Sequence, residues 1–112
     1  MEDCIFCRMA EGKIKCNKVY EDETFLAFRD INPQAPVHIL IIPRKHIAKL
    51  HDTNDASLLG RLLNLASGIA KDEGIAEGGY RIVINNNRDA GQSVEHLHLH
   101  LLGGRIMKWP PG

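Results

Sequence analysis

Residues 96–102 read His-Leu-His-Leu-His-Leu-Leu, and this stretch carries the strongest structural signal in the chain. Strict alternation of polar and apolar side chains is typical of a half-buried β-strand, whose successive residues point to opposite faces. We therefore expect His96, His98 and His100 to share an outward face while the leucines pack on the core. Neighbouring histidines on such a strand lie about 6.6 Å apart. Two of them could share a metal ion, whereas a central nucleophile or base with a helper on each side fits all three.

Composition predicts one globular domain over residues 1–112. With 44% apolar and 25% charged residues, the chain can bury one hydrophobic core. Fourteen basic residues balance fourteen acidic ones, so no overall field favours nucleic acid or an anionic membrane as a partner. Because the sequence contains neither a signal peptide nor a long apolar run, we expect a cytoplasmic protein. Three cysteines, an odd number, argue against a disulfide framework.

The remaining periodicity predicts an α+β fold. Successive strands are mostly joined by short segments, which favours an antiparallel sheet of about five strands carrying one main helix and a short N-terminal helix. The near-continuous apolar run at 37–42 predicts a strand covered on both faces, in which His38 is an unusual polar residue. The predicted elements are a helix at 4–11, strands at 18–20, 24–29 and 37–42, a helix at 55–73, and strands at 80–85 and 96–102.

A polar loop at 85–93 directly precedes the histidine strand. Its backbone N–H groups could wrap an anion, with Gly91 permitting close approach, although such segments are usually ordinary turns. The sequence contains neither a P-loop nor a dinucleotide-binding glycine fingerprint. Nucleoside triphosphate hydrolysis of the common kinds is therefore disfavoured.

Residues 96–102 resemble the signature of the histidine triad (HIT) family, and residues 103–112 resemble the tail of its Hint branch. Further similar segments are 30–38, 42–46, Asn85 and 91–94. This resemblance implies a homodimer in which the two sheets join into one. It also implies a purine nucleoside phosphoramidase, which releases AMP from adenosine 5′-phosphoramidates such as adenylylated lysine, with AMP or GMP as product ligands.

The same resemblance implies a role for each histidine. His98 would attack the α-phosphorus and form a nucleotidyl-histidine that water hydrolyses. His38, His100 and Ser93 would orient it and pass a proton to the leaving amine, as covalent catalysis requires when the leaving group is poor. His96 lies in the same row and is a further catalytic candidate, with a structural role as the alternative.

A nucleotide-binding set also follows from the resemblance. Asp30 would accept hydrogen bonds from the ribose hydroxyls, and plain core packing is the alternative for Phe28, Ile31 and Leu40. The base pocket would comprise Phe6, Met9, Phe28, Ile31 and Leu40, and the phosphate end would comprise Asn85, Gly91, Ser93, His98 and His100.

The tail 109–112, Trp-Pro-Pro-Gly, can neither continue a helix nor pair as a central strand. It should therefore lie extended along a surface. In Hint-like proteins this surface belongs to the dimer near the partner's active site, so Trp109 is expected to contribute to nucleotide binding. A frayed terminus is the alternative.

Cys4 and Cys7 have the spacing of metal ligands, but no second ligand pair follows, so spacing alone does not establish a zinc site and two small buried thiols on the first helix are the alternative. Some bacterial HIT proteins with the same pair complete a tetrahedral zinc with histidines that correspond to His46 and His96. The resemblance thus implies a structural zinc, while catalysis itself would need no cofactor.

Two other functional classes remain open. A dinucleotide polyphosphate hydrolase of the Fhit-like branch shares the triad but lacks the ending found at 103–112. A non-catalytic purine nucleotide-binding protein that acts through protein partners is the third class, although the complete histidine set argues against it.

Overall fold

The computed structural model describes residues 3–112, and in it five strands form one antiparallel sheet in the spatial order β1-β2-β3-β5-β4. This confirms the predicted α+β architecture. The histidine strand lies inside the sheet, between β3 and β4, rather than at an edge. The strands are β1 (Lys18–Glu21), β2 (Phe25–Arg29), β3 (Val37–Pro43), β4 (Tyr80–Val83) and β5 (Leu99–Gly103).

Two α-helices, α1 (Ile5–Ala10) and α2 (Ala56–Asp72), accompany the sheet. The Asp55 carboxylate caps α2 by accepting a hydrogen bond from the N–H of Leu58 at 2.9 Å. Gly74 follows the helix with φ +76°, the left-handed conformation that glycine adopts without strain. Among residues 3–112 no helix is long and apolar enough to cross a membrane. The buried face of α2 has the predicted helical spacing: Leu58, Leu62, Ala66 and Ile69.

The sheet is covered on both faces, which explains the continuous apolar run of β3. Ile39 and Ile41 face α2, whereas Leu40 and Ile42 face α1. The leucines at 97, 99 and 101 join the α2 side, as the alternation predicts. The histidines between them consequently face α1.

Two details of the predicted histidine strand are wrong. The strand begins at Leu99 rather than at His96, because the preceding segment bends and the His96 ring bonds to the Pro43 carbonyl. The histidine face also does not look outward: His96 is 0% exposed and His98 4% exposed. Helix α1 lies over this face, and the periodicity of the strand alone does not show that a helix covers it.

Strand β4 also differs from its prediction: it ends at Val83, two residues before its predicted end.

The end of β5 makes a close contact that tests the packing. A Cβ added at Gly103 would lie 2.6 Å from Cδ1 and 3.0 Å from Cβ of the buried Ile75. The Cδ1 atom could rotate away, but the Cβ atom is fixed to the backbone. Gly103→Ala should therefore lower the free energy of unfolding by about 1–3 kcal/mol in urea denaturation.

Gly68→Ala is the matched control for this prediction. Gly68 is exposed within α2, and an added Cβ would have no neighbour within 4 Å. Alanine there should raise the free energy of unfolding by roughly 0.5–1 kcal/mol, because glycine loses more backbone entropy in a helix. Equal effects at both positions would contradict the contact with Ile75.

Candidate functional site

The His98 ring is held in one tautomer by its own strand. Its Nδ1 lies 2.6 Å from the carbonyl oxygen of His96. A carbonyl oxygen can only accept, so Nδ1 carries a proton, and in the neutral ring it is Nε2 that has the free lone pair. The site therefore contains a buried imidazole whose unprotonated nitrogen is the one turned away from the backbone.

A second hydrogen-bonded chain fixes the His100 ring. The N–H of Gln34 donates to Nδ1 of His38 at 3.0 Å, so the His38 proton is on Nε2. That proton is donated to Nδ1 of His100 at 2.9 Å, which leaves the His100 proton on Nε2. Asp30 Oδ2 lies 3.5 Å from the same His38 nitrogen. Because His38 Nε2 already carries a proton, these residues form a relay rather than a set of metal ligands.

Burial keeps both relay histidines neutral. Burial, with smaller contributions from the nearby rings of His98 and His38, lowers the pKa of His100 to about 4. Burial also lowers the pKa of His38, an effect that the Asp30 carboxylate opposes. The tautomers assigned to His38 and His100 therefore persist at neutral pH. The ring centroids of His98 and His100 are 5.0 Å apart, so the relay ends beside the His98 ring.

A cavity of about 250 Å³ opens onto these histidines and brings together most of the predicted nucleotide-binding residues. Phe28 and Leu40 line the cavity and also belong to the hydrophobic core, so the predicted pocket position and its alternative, core packing, hold together for these two residues. Ile31 is 99% exposed, which makes core packing the wrong alternative there. The predicted residues that line the cavity are Phe6, Met9, Phe28, Asp30, Ile31, Leu40, Ser93, His98 and His100.

Several residues that line the cavity were not predicted. The segment 15–17 enters the wall because the Asn17 carbonyl accepts from the N–H of Arg29 at 2.9 Å, which extends the β1–β2 pairing. Only that register could have revealed the segment, since its composition has no distinctive pattern. The unpredicted residues are Ile5, Lys15, Cys16, Asn17, Arg29 and Val94.

Three predicted nucleotide-binding residues do not line this cavity. Asn85 is half-buried just beyond β4, and Gly91 is exposed with φ +87° at the end of a 3-10 turn. Trp109 is 81% exposed, and its ring lies 5.9 Å from the Arg81 guanidinium. Arg81 also donates to the Lys108 carbonyl at 3.0 Å, so the tail lies along the surface beside β4.

The predicted metal ligands form a second centre, which we call the thiol–imidazole cluster: Cys4, Cys7, His46 and His96. Their four donor atoms all lie within 4.8 Å of one another. Nδ1 of His96 lies 3.2 Å from Sγ of Cys4, and Nδ1 of His46 lies 3.2 Å from Sγ of Cys7. Tetrahedral zinc bonds to sulfur and nitrogen imply donor separations of about 3.3–3.8 Å.

The donor chemistry of this cluster fits zinc. Nε2 of His96 donates to the Pro43 carbonyl at 2.8 Å, so its Nδ1 lone pair faces the thiols. Such a hydrogen bond to the far ring nitrogen is the usual way to orient a metal-binding histidine. His96 therefore belongs to the cluster and does not line the cavity, which favours its structural role over its catalytic one.

Comparisons with known proteins agree with this architecture. The family model described as HIT domain matches residues 11–107. An uncharacterized HIT-like protein of Chlamydia muridarum (strain MoPn / Nigg) is 54% identical over 105 residues, which cover 92% of this chain and 82% of the relative.

Solved structures agree as well. A HIT family hydrolase from Legionella pneumophila Philadelphia 1 has a TM-score of 0.96 at 55% identity, covering 98% of this chain and 100% of its own. A histidine triad protein from Clostridium difficile has a TM-score of 0.93 at 43% identity, covering 96% of both chains. The chain belongs to the HIT domain family.

Proposed function

We propose that this protein is a hydrolase, a purine nucleoside phosphoramidase of the Hint branch that cleaves the P–N bond of adenosine 5′-phosphoramidates such as AMP-lysine. One observation carries the proposal: the His98 ring, whose Nδ1 donates to the His96 carbonyl, has its centroid 5.0 Å from that of the His100 ring, where the hydrogen-bonded chain from His38 ends. The similar Legionella protein is described as a HIT family hydrolase, which supports the reaction class.

In the proposed reaction, Nε2 of His98 attacks the α-phosphorus while the P–N bond breaks. The nitrogen takes up a proton through His100, with Ser93 and His38 assisting, and leaves as an amine. Water then attacks the nucleotidyl-histidine and returns a proton to His100, and AMP leaves as the bond to Nε2 of His98 breaks. The His96 carbonyl stabilises the positive charge that develops on the His98 ring, because it accepts the hydrogen bond from Nδ1 throughout the reaction.

The cavity provides the proposed nucleotide site. Its apolar walls suit a purine base, and the Asp30 carboxylate at its edge would accept the ribose hydroxyls. The phosphate would lie at Ser93 and the two histidines of the site. Asn85 and Gly91, which do not line the cavity, are proposed to approach the phosphate from the segment that precedes β5.

A homodimer would give the tail a function. Strand β4 is an edge strand, so two copies could join their sheets there. Ile106 is 90% exposed and Trp109 81% exposed, and such apolar side chains on one tail suit a protein partner. In this arrangement Trp109 would reach the nucleotide site of the partner subunit.

We also propose that the protein is located in the cytoplasm.

Turnover of three substrates separates the leading function from the alternatives. The purified protein should hydrolyse adenosine or guanosine 5′-phosphoramidates much faster than diadenosine tetraphosphate. The reverse order would favour a dinucleotide polyphosphate hydrolase. Binding of AMP without turnover of any of the three would favour a non-catalytic nucleotide-binding protein.

The thiol–imidazole cluster is proposed to hold one structural zinc. Four protein ligands would close the coordination shell and leave no position for water or substrate. The ion would contribute folding energy, and catalysis would rest on the protein side chains alone.

His98→Ala should lower phosphoramidate turnover by at least about 10³-fold, because the covalent intermediate cannot form. AMP binding, measured by calorimetry, should persist. His51→Ala is the control, since His51 is exposed and does not line the cavity. Mass-spectrometric detection of a nucleotidyl adduct on any residue other than His98 would refute the mechanism.

Acid should destabilise the protein partly through His100. Because burial lowers the pKa of His100 to about 4 from its ordinary 6.5, the unfolded chain binds more protons than the folded one between these values. Stability from this group is complete above pH 6.5 and falls as the pH drops towards 4. The melting temperature of His100→Asn should therefore fall less than that of the wild type between pH 7 and 5. An equal fall in the melting temperature of both proteins would show that His100 is not a neutral buried group.

Removing zinc should separate folding from chemistry. The protein purified without chelators should contain close to one equivalent of zinc by elemental analysis, and chelation should lower its melting temperature. Turnover at saturating substrate and low temperature should survive, because the reacting groups are not metal ligands. Absence of zinc would leave Cys4 and Cys7 as two buried thiols.

A further inference from the structure

Helix α1 contributes both to the thiol–imidazole cluster and to the nucleotide cavity. Cys4 caps its start and Cys7 lies in its first half, and both thiols belong to the cluster. Phe6 lies between them in sequence and lines the cavity, as does Met9. A displacement of α1 would therefore change both places at once.

Helix α1 cannot hold its position unaided. It has six residues, whereas isolated helices shorter than about 12–15 residues are marginal in water. Its C-terminal end is fixed by Arg44, whose Nη1 donates to the Ala10 carbonyl at 2.7 Å. The N-terminal half depends on the burial of its side chains and on the contacts of the two thiols.

The partners of those thiols belong to the sheet framework. His46 follows β3, and His96 precedes β5 with its far nitrogen bonded to the Pro43 carbonyl. Thiols form only weak hydrogen bonds with imidazoles, whereas zinc ligation contributes directly to folding energy. A bound ion would thus attach the start of α1 to the sheet at two points.

The Phe6 side chain connects this attachment to the cavity. Its ring centroid lies 5.2 Å from that of His98, 5.9 Å from that of His96 and 5.5 Å from that of Phe28. It is 6% exposed and packs edge-on against both His96 of the cluster and Phe28 of the proposed base wall. Its place in the wall depends on the position of α1.

We propose that metal loading of the thiol–imidazole cluster sets the affinity of the cavity for a purine base by holding Phe6 and Met9 in place. The proposal rests on the proposed function in assigning the cavity to a purine nucleotide. The cluster residues act as positioning residues, since they do not touch the reacting atoms. Linkage then requires AMP to tighten zinc binding by the same factor by which zinc tightens AMP binding.

The first test compares two ligands by calorimetry in zinc-loaded and chelator-treated protein. Removal of zinc should raise the Kd of AMP about three- to tenfold, the effect of losing one aromatic contact. The Kd of ribose 5-phosphate should not change, because this ligand lacks the base. Equal AMP affinities in both forms, or equal weakening of both ligands, would overturn the proposal. Failure of AMP to bind the loaded protein would instead reject the purine nucleotide assignment itself.

The second test does not depend on the metal-free protein remaining folded. Zinc affinity is measured by competition with a chromophoric chelator, with and without saturating AMP. AMP should tighten zinc binding in the wild type and in Leu63→Ala, a control on the exposed face of α2. It should tighten zinc binding much less in Phe6→Ala. The same tightening in Phe6→Ala as in the wild type, or none in the wild type, would overturn the proposal.

Discussion

The antiparallel pairing of β3 with β5 is the constraint on which the rest of the site depends. It sets Leu40 opposite His100 and His38 opposite Leu102, so the two relay histidines become diagonal neighbours on one face. They are 62 residues apart in the chain. A slip of one residue would turn every side chain of β5 to the other face and would bury the leucines against α1. The leucine core on the α2 side therefore determines the chemistry on the opposite side.

Much of this arrangement could be predicted from local patterns. Alternation identified which side chains of 96–102 share a face, and the apolar run at 37–42 predicted a strand covered twice. The helical spacing of the 55–73 segment was equally clear, and in the structure Asp55 caps the start of the helix while Gly74 follows its end with a positive φ. These features depend on a few neighbouring residues, so they can be recognised without knowledge of the remaining chain.

The features that could not be predicted depend on contacts between distant segments. The histidine face is buried because six residues near the N-terminus lie over it, which no property of the strand reveals. The wall residues Lys15 to Asn17 enter the cavity through the β1–β2 register. His46 had no distinctive pattern of its own, and only the family resemblance identified it as a ligand. Tautomers likewise require partners, so sequence could identify His98 as central but not which of its nitrogens is free.

The bond from Gln34 to His38 is made by the backbone, and this has an evolutionary consequence. Because a peptide N–H supplies the donor, almost any side chain at position 34 leaves the orientation of the relay intact. Proline is the exception, since it has no N–H to donate. The Gln34 carbonyl meanwhile accepts from the Arg105 guanidinium at 3.0 Å, which helps to fix the same turn. Selection on the relay should thus act on the backbone conformation at position 34 and on Arg105, and the Gln34 side chain contributes to the same turn through the bond that its Nε2 donates to the Asn32 carbonyl at 3.0 Å.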